Sequence, residues 1–229
     1  MLLLGLVLCV PSSGGVFEGS LTSLTSLGWV FGVIYIVWAP PREGKTYYCT
    51  RWALRRLRSG KTVYTNYPII DSSGLSSMVW SPELVHESIH DALIIIDEAY
   101  RDYNSRNFKS FTEDEHTFFA TNGHNNLDIV LIAQNPARVD VVIREMTNVY
   151  YFVRKFELPF LSHPLWFRVL GFLDETSMAS RDPKQAYSSE LVFFRRSVAS
   201  AYDTHYFRRG VSDYQGITWR EKLESDIKE

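Results

Sequence analysis

From residue 32 onward, short apolar runs alternate with amphipathic stretches. GVIYIVW (Gly32 to Trp38) is β-branched and aromatic throughout, the pattern of a strand buried on both faces. YYCTRWALRRLRS sets Tyr48, Trp52 and Leu57 on one side and four arginines largely on the other, which predicts an amphipathic helix stopped by a left-handed Gly60. KTVYTNYPI predicts a second strand, ended by Pro68. SPELVHESIHD predicts a helix, with Ser81 as N-cap, Pro82 at the first helical position and Glu83 in the first turn. ALIIIDEAY (Ala92 to Tyr100) is the most strand-like run and ends on two adjacent carboxylates. TEDEHTFFATNG predicts a helix capped by Thr112, with acids where the positive end of the helix dipole favours them. DIVLIAQ (Asp128 to Gln134) then predicts a buried strand, VDVVIREMT a short helix and NVYYFVRKF a further strand.

Past that point the alternation stops. LWFRVLGFLD and ELVFFRR predict strands with no long helix between them, and Pro159 to Pro164 reads as the turn of a hairpin. The expected architecture is a mainly parallel sheet with helices on both faces and an antiparallel C-terminal extension. Three parts are expected: an apolar segment and linker over residues 1–27, a domain over 28–205 and a polar tail over 206–229. The first segment, MLLLGLVLCV followed by PSSGG, resembles the core of a signal peptide. It has no basic residue before it, since the first in the chain is Arg42, and it is shorter than the roughly 20 apolar residues of a membrane span. A buried or amphipathic N-terminal element, or a membrane-touching anchor, is the expectation for Met1 to Val10.

Composition narrows the chemistry. A formal net charge of −2 over 229 residues gives no overall attraction to nucleic acid or anionic lipid, so any such surface is local or built by several subunits. Two cysteines, Cys9 and Cys49, have no metal-ligand spacing, which argues against a disulfide framework or a zinc site.

Between the first strand and the first helix lies Ala39-Pro40-Pro41-Arg42-Glu43-Gly44-Lys45-Thr46, which matches the phosphate-binding pattern G-x-x-x-x-G-K-[ST] except at its first glycine. The pattern supplies backbone N–H groups at a helix N-terminus, a lysine charge and a hydroxyl for Mg²⁺. Alanine at 39 is compatible if its φ stays negative, and Pro40 and Pro41 stiffen the loop. Glu43 would repel phosphate unless its side chain points outward. Downstream, Asp97 and Glu98 close the LIIID strand, where an Asp can hold the Mg²⁺ shell and a neighbouring Glu can polarise a water. Gln134 ends the next strand and would face the same edge of the sheet, where open α/β sheets collect their ligands. No Asn-Lys-x-Asp element for guanine is present, which favours ATP.

The P-loop with GKTYY, the VYTNYPI strand after the first helix, IIIDEAYRDY, HNNLDIVLIAQ and SAYDT together resemble the N-terminal ATPase domain of the zonula occludens toxin (Zot) family. That family includes the filamentous-phage assembly protein and belongs with the FtsK/HerA-like, additional-strand (RecA-type) P-loop NTPases. The resemblance implies Lys45 and Thr46 on phosphate and Mg²⁺, Asp97 on Mg²⁺, Glu98 as catalytic glutamate and Gln134 as sensor. It also implies a homo-oligomeric ring in which an arginine from a neighbour completes the site, with Arg106, Arg138 and Arg144 as candidates. The family loop typically has glycines where Ala39 and Arg42 stand. The phage assembly proteins carry a membrane span after the ATPase domain, which is not expected within these residues, and the segment associated with toxin activity lies outside the matched region.

The function these features imply is an ATP-hydrolysing viral or mobile-element motor for genome packaging or virion extrusion. It would contact DNA through phosphates, to which the basic stripe Arg51, Arg55, Arg56, Arg58 and Lys61 could contribute unless it is simply the wet face of the first helix. The alternative is a non-hydrolysing adaptor of the virion or membrane that retains the fold. The expected address is the host cytoplasm, with the inner face of the membrane or the virion as further options.

Overall fold

In a computed structural model of the chain, residues 32–104, 112–203 and 216–226 are described. Eight strands form one sheet: β1 (Ile34–Trp38), β2 (Thr62–Thr65), β3 (Met78–Val79), β4 (Ala92–Ile96), β5 (Asp128–Ala133), β6 (Val149–Phe156), β7 (Trp166–Phe172) and β8 (Ser188–Phe193). Their spatial order is β3-β2-β4-β5-β1-β6-β7-β8. All pairings from β3 across to β6 are parallel, and β6–β7 and β7–β8 are antiparallel. This is the expected mainly parallel sheet with an antiparallel C-terminal extension. The hairpin predicted around Pro159 to Pro164 joins β6 to β7.

The helices are α1 (Lys45–Arg58), α2 (Glu113–Ala120), α3 (Val141–Met146), α4 (Glu175–Ser180), α5 (Arg196–Ala199) and α6 (Trp219–Asp226). Because side chains alternate across a strand, the continuous apolar runs feed two cores. Val37, Ile95, Val130 and Ile132 pack with Tyr48 and Leu54 of α1 on one face. Ile36, Ile94 and Leu131 pack with Phe119 of α2, Ile143 of α3 and Met178 of α4 on the other. Every residue of β4 and β5 is buried, so the middle of the sheet is a rigid platform.

Local signals explain most element ends. Gly60 takes φ 73° and its N–H donates to the Leu57 carbonyl at 2.9 Å, closing α1 as expected. Thr112 and Glu115 form a reciprocal capping box on α2.

Two expectations are corrected, and one segment shows more order than its composition suggests. SPELVHESIHD is a 3₁₀ turn over Pro82–His86, and Ser81 makes no capping bond. Leu84 and Ile89 are its buried apolar residues, too few to hold a longer amphipathic helix. The strand in ALIIIDEAY stops at Ile96, and Glu98 adopts a left-handed conformation (φ 51°) that opens a 3₁₀ turn over Ala99–Arg101. Within the polar tail, α6 is docked: Trp219 is fully buried, its indole N–H donating to the Thr65 carbonyl at 2.8 Å.

Residues 1–27, Arg106 and the end of SAYDT at Thr204 lie outside the described residues. Among the described residues, no helix is long and apolar enough to cross a membrane, and no cluster of three His, Cys, Asp or Glu side chains could hold a metal.

Candidate nucleotide-binding site

The strand order decides which residues can meet. β5 lies between β1, which leads into the Ala39–Thr46 loop, and β4, which leads into Asp97 and Glu98. Because all three strands are parallel, the loop, the two acids and Gln134 leave the sheet at its carboxyl edge.

The loop bends through two left-handed residues, Arg42 (φ 65°) and Gly44 (φ 92°). Glycine takes this conformation freely, and a side chain at 44 would also place its Cβ 2.2 Å from the Phe167 ring of β7. Arg42 has no such freedom, so its left-handed backbone carries strain. Ala39 is fully buried, while Pro40, Pro41 and Arg42 are exposed.

Glu43 turns away from the loop: its carboxylate accepts the backbone N–H of Lys155 in β6 at 2.9 Å. The N-terminus of α1 therefore carries no acid in its first turn and no side-chain cap. Its uncapped amide dipoles suit an anion. Lys45 is buried at the same end, and its ammonium donates to the carbonyls of Ala39 and Pro40, each at 2.9 Å. Burial holds its pKa below the ordinary lysine value, although Asp97 pulls the other way. A phosphate beside this desolvated cation would relieve that cost.

Thr46 and Asp97 meet directly. The Thr46 hydroxyl donates to the Asp97 carboxylate at 2.8 Å, across a separation of 51 residues. Burial raises the Asp97 pKa, opposed by the bonds from Thr46 and from the Glu98 backbone N–H at 2.8 Å. A hydroxyl and a carboxylate in contact at the mouth of an anion site are the donor set that octahedral Mg²⁺ uses alongside phosphate oxygens, so the residues present fit a Mg²⁺–nucleotide.

Sequence reasoning missed Asn66, which follows β2. Its amide N–H₂ donates to the Asp97 carbonyl at 2.8 Å and its carbonyl accepts the Asp97 N–H at 2.7 Å. This clamp holds the carboxylate-bearing turn, and a polar residue at the end of a strand neighbouring β4 was its only signal.

Glu98 forms an ion pair with Arg101 at 2.9 Å. Gln134 lines a cleft of about 310 Å³ with Pro40 and Trp38, roofed by Arg181, whose guanidinium lies 4.9 Å from the Trp38 ring centroid. Of the candidate arginines, Arg144 is held by both oxygens of Glu175 at 2.6 and 2.8 Å, whereas Arg138 is exposed and stacks over Tyr100 at 5.7 Å. The α1 stripe is not simply a wet face: Arg51 pairs with Glu190, Arg56 with Asp128 and Arg58 with Asp71.

Residues 68–158 match the family model described as Zonular occludens toxin (Zot). That span includes Asp97, Glu98 and Gln134 and begins after the Gly44-Lys45-Thr46 cradle. The chain shares its fold with the N-terminal domain of zonular occludens toxin from Neisseria meningitidis, at 16% identity and a TM-score of 0.55 over 76% of this chain and 100% of that one. It also matches the genome packaging NTPase B204 of Sulfolobus turreted icosahedral virus 2 in complex with AMPPCP, at 13% identity and a TM-score of 0.46 over 70% of this chain and 97% of that one. No curated protein matched the sequence.

Proposed function

We propose that this protein is a Mg²⁺-dependent ATPase of the Zot and FtsK/HerA type, acting as a viral or mobile-element motor in genome packaging or virion assembly and extrusion. The contact between Thr46 and Asp97 carries the reading, because it joins the phosphate-binding loop to the strand-end acid across an intervening strand. The Zot match over residues 68–158 supports the motor class.

In this reading the amides from Arg42 to Thr46 cradle the phosphates, and Lys45 neutralises charge that develops on the transferred phosphoryl group. Thr46 and Asp97 would hold Mg²⁺, which would supply neutralisation of phosphate charge. Glu98 orients and polarises the attacking water once released from Arg101, and Gln134 contacts the γ-phosphate side from the end of β5. Arg138 is the described candidate for an arginine acting on a neighbouring subunit in a ring, since Arg144 is committed to Glu175. DNA would be held through its phosphates. The host cytoplasm, at the membrane or with the assembling virion, is the proposed address.

A second reading, a non-hydrolysing adaptor that keeps the fold, is favoured by the Glu98–Arg101 ion pair and by the left-handed Arg42. Phosphate release from ATP with Mg²⁺, measured with and without DNA, separates the two. A motor hydrolyses ATP, loses turnover but keeps nucleotide in Glu98→Gln, and loses nucleotide in Lys45→Ala. Binding without hydrolysis by the wild type favours the adaptor.

A further inference from the structure

The antiparallel extension presents apolar side chains to solvent at the turn between β6 and β7. Phe160 is 96% exposed at the apex, with Leu158 and Leu161 beside it at 41% and 40%. The apolar surface continues down one face of the sheet, because the register aligns Phe156, Trp166 and Phe193 in a row across β6, β7 and β8. Phe156 and Phe193 in that row are themselves exposed. Isolated exposed apolar residues are ordinary, but a contiguous group at a protruding turn marks a contact surface.

This tip is built rather than loose. The Phe156 and Trp166 rings stack at 4.2 Å with an interplanar angle of 7°, and His163 stacks on Phe194 at 4.8 Å. Backbone bonds from Leu165 to the Phe156 carbonyl at 2.8 Å and from Leu161 to the Leu158 carbonyl at 3.0 Å close the turn. The apolar apex is thus held outward in advance, with little ordering cost left for contact.

The next row back carries charge. Arg154 and Arg168 face each other directly across β6 and β7, on the same face as Phe156 and Trp166. Both are exposed and neither forms an ion pair among the described residues. Exposed Arg195 and Arg196 follow Phe193 and Phe194. The acid at the tip, Glu157, is neutralised by Lys155 at 2.9 Å. Two residues along a strand separate the apolar row from the arginine row, roughly 7 Å.

We propose that the β6–β7 hairpin docks on an anionic lipid bilayer. Phe160, Leu158 and Leu161 enter the acyl boundary, and the arginine row meets the headgroup phosphates. Interfacial elements sink ~5–10 Å, so the apex reaches the acyl boundary while the arginines, set further back along the strands, stay with the headgroups, where basic side chains add attraction to anionic lipid. A second copy docked on this face about a two-fold axis would bury the arginine rows of both copies in one interface with no acid in these rows to pair them, which disfavours it. Phe156 and Trp166 stack on each other and the apex around Phe160 is otherwise aliphatic, Leu158 and Leu161, so the tip suits acyl chains better than a run of bases that needs successive free ring faces. The inference needs no nucleotide and stands independently of the ATPase reading.

Flotation of the full chain with vesicles at about 0.15 M salt tests it, comparing phosphatidylcholine alone with phosphatidylcholine plus phosphatidylglycerol. The wild type should float with the anionic vesicles only. Phe160→Asp should lower that partition about tenfold or more, the loss of one aromatic from the acyl boundary, with an unchanged thermal midpoint because the side chain packs on nothing. The double variant Arg154→Glu with Arg168→Glu should lose binding to anionic vesicles. The proposal is overturned if the wild type binds neither vesicle, if Phe160→Asp floats like the wild type, as an anchor at residues 1–10 would give, or if Phe160→Asp changes the oligomeric state without lipid.

Discussion

Asp97 is held at a cost to the fold where the candidate site needs a carboxylate. Its pKa lies above the ordinary 3.8 chiefly because burial penalises the carboxylate, and three polar groups only partly compensate. The sign of the linkage follows. A folded pKa above the unfolded one means that the native state holds its proton more tightly, so the stabilisation from protonated Asp97 is full below about 3.8 and is lost as pH rises through the folded pKa. Asparagine at 97 removes the ionisation while its carbonyl still accepts from the Glu98 N–H and its amide can donate to Thr46. Asp97→Asn should therefore raise the stability of the nucleotide-free protein at pH 7, and the gain should shrink towards pH 4. Urea unfolding at the two pH values measures it. A variant less stable than the wild type at pH 7, or a gain that grows on acidification, would refute the burial argument. The same substitution should abolish stabilisation by Mg²⁺ and ATP, since it removes the metal-ligand charge.

Among the elements, α6 shows how little sequence signal an important contact can carry. WREKLESD has no apolar stripe, yet the buried Trp219 packs the helix against Val79 and donates to the Thr65 carbonyl, while the Trp219 N–H donates to the Ser77 carbonyl at 2.9 Å and the Val79 N–H to the Ile217 carbonyl at 3.0 Å. The segment thereby covers the open edge of β3, a place where unpaired strands invite association. Trp219→Ala should cost ~3 kcal/mol or more and expose residues 216–226 to proteolysis, as read by thermal melts and limited digestion. Unchanged protection would show that the backbone bonds hold the helix alone. Elements with dense apolar runs, β1, β4 and β5, were legible because burial on both faces leaves a continuous signature. The cradle was legible because its chemistry is local: Gly44, Lys45 and Thr46 are consecutive. The clamp from Asn66 to Asp97 was not, because it depends on β2 lying next to β4, and strand order is a property of long-range pairing. The 3₁₀ turn at Pro82 was misread for the opposite reason: a strong local start signal was followed by too few buried side chains to extend it.

At the scale of the molecule, nucleotide binding should act as a further cross-link between parts that the sheet and the Thr46–Asp97 bond now hold together. The cradle follows β1, Asp97 and Glu98 follow β4, and β5 with Gln134 intervenes, so a Mg²⁺–triphosphate touching all three ties the carboxyl edge across three strands. A ligand that binds only the folded state stabilises it by RT ln(1 + [L]/Kd), roughly 2.7 kcal/mol at 100 times Kd. For a chain of this length that corresponds to a rise in melting temperature of roughly 5–11 °C. Wild type and Glu98→Gln should both show the rise with Mg²⁺ and ATP, because the proposed role of Glu98 is on the water and not on binding. Lys45→Ala should show none, and ATP without Mg²⁺ should give less, since the Thr46–Asp97 pair then meets phosphate without the cation that reconciles their charges. Differential scanning fluorimetry across these variants reads the outcome directly. An equal rise in Lys45→Ala would place the nucleotide elsewhere on the molecule, away from the edge where β1, β4 and β5 end.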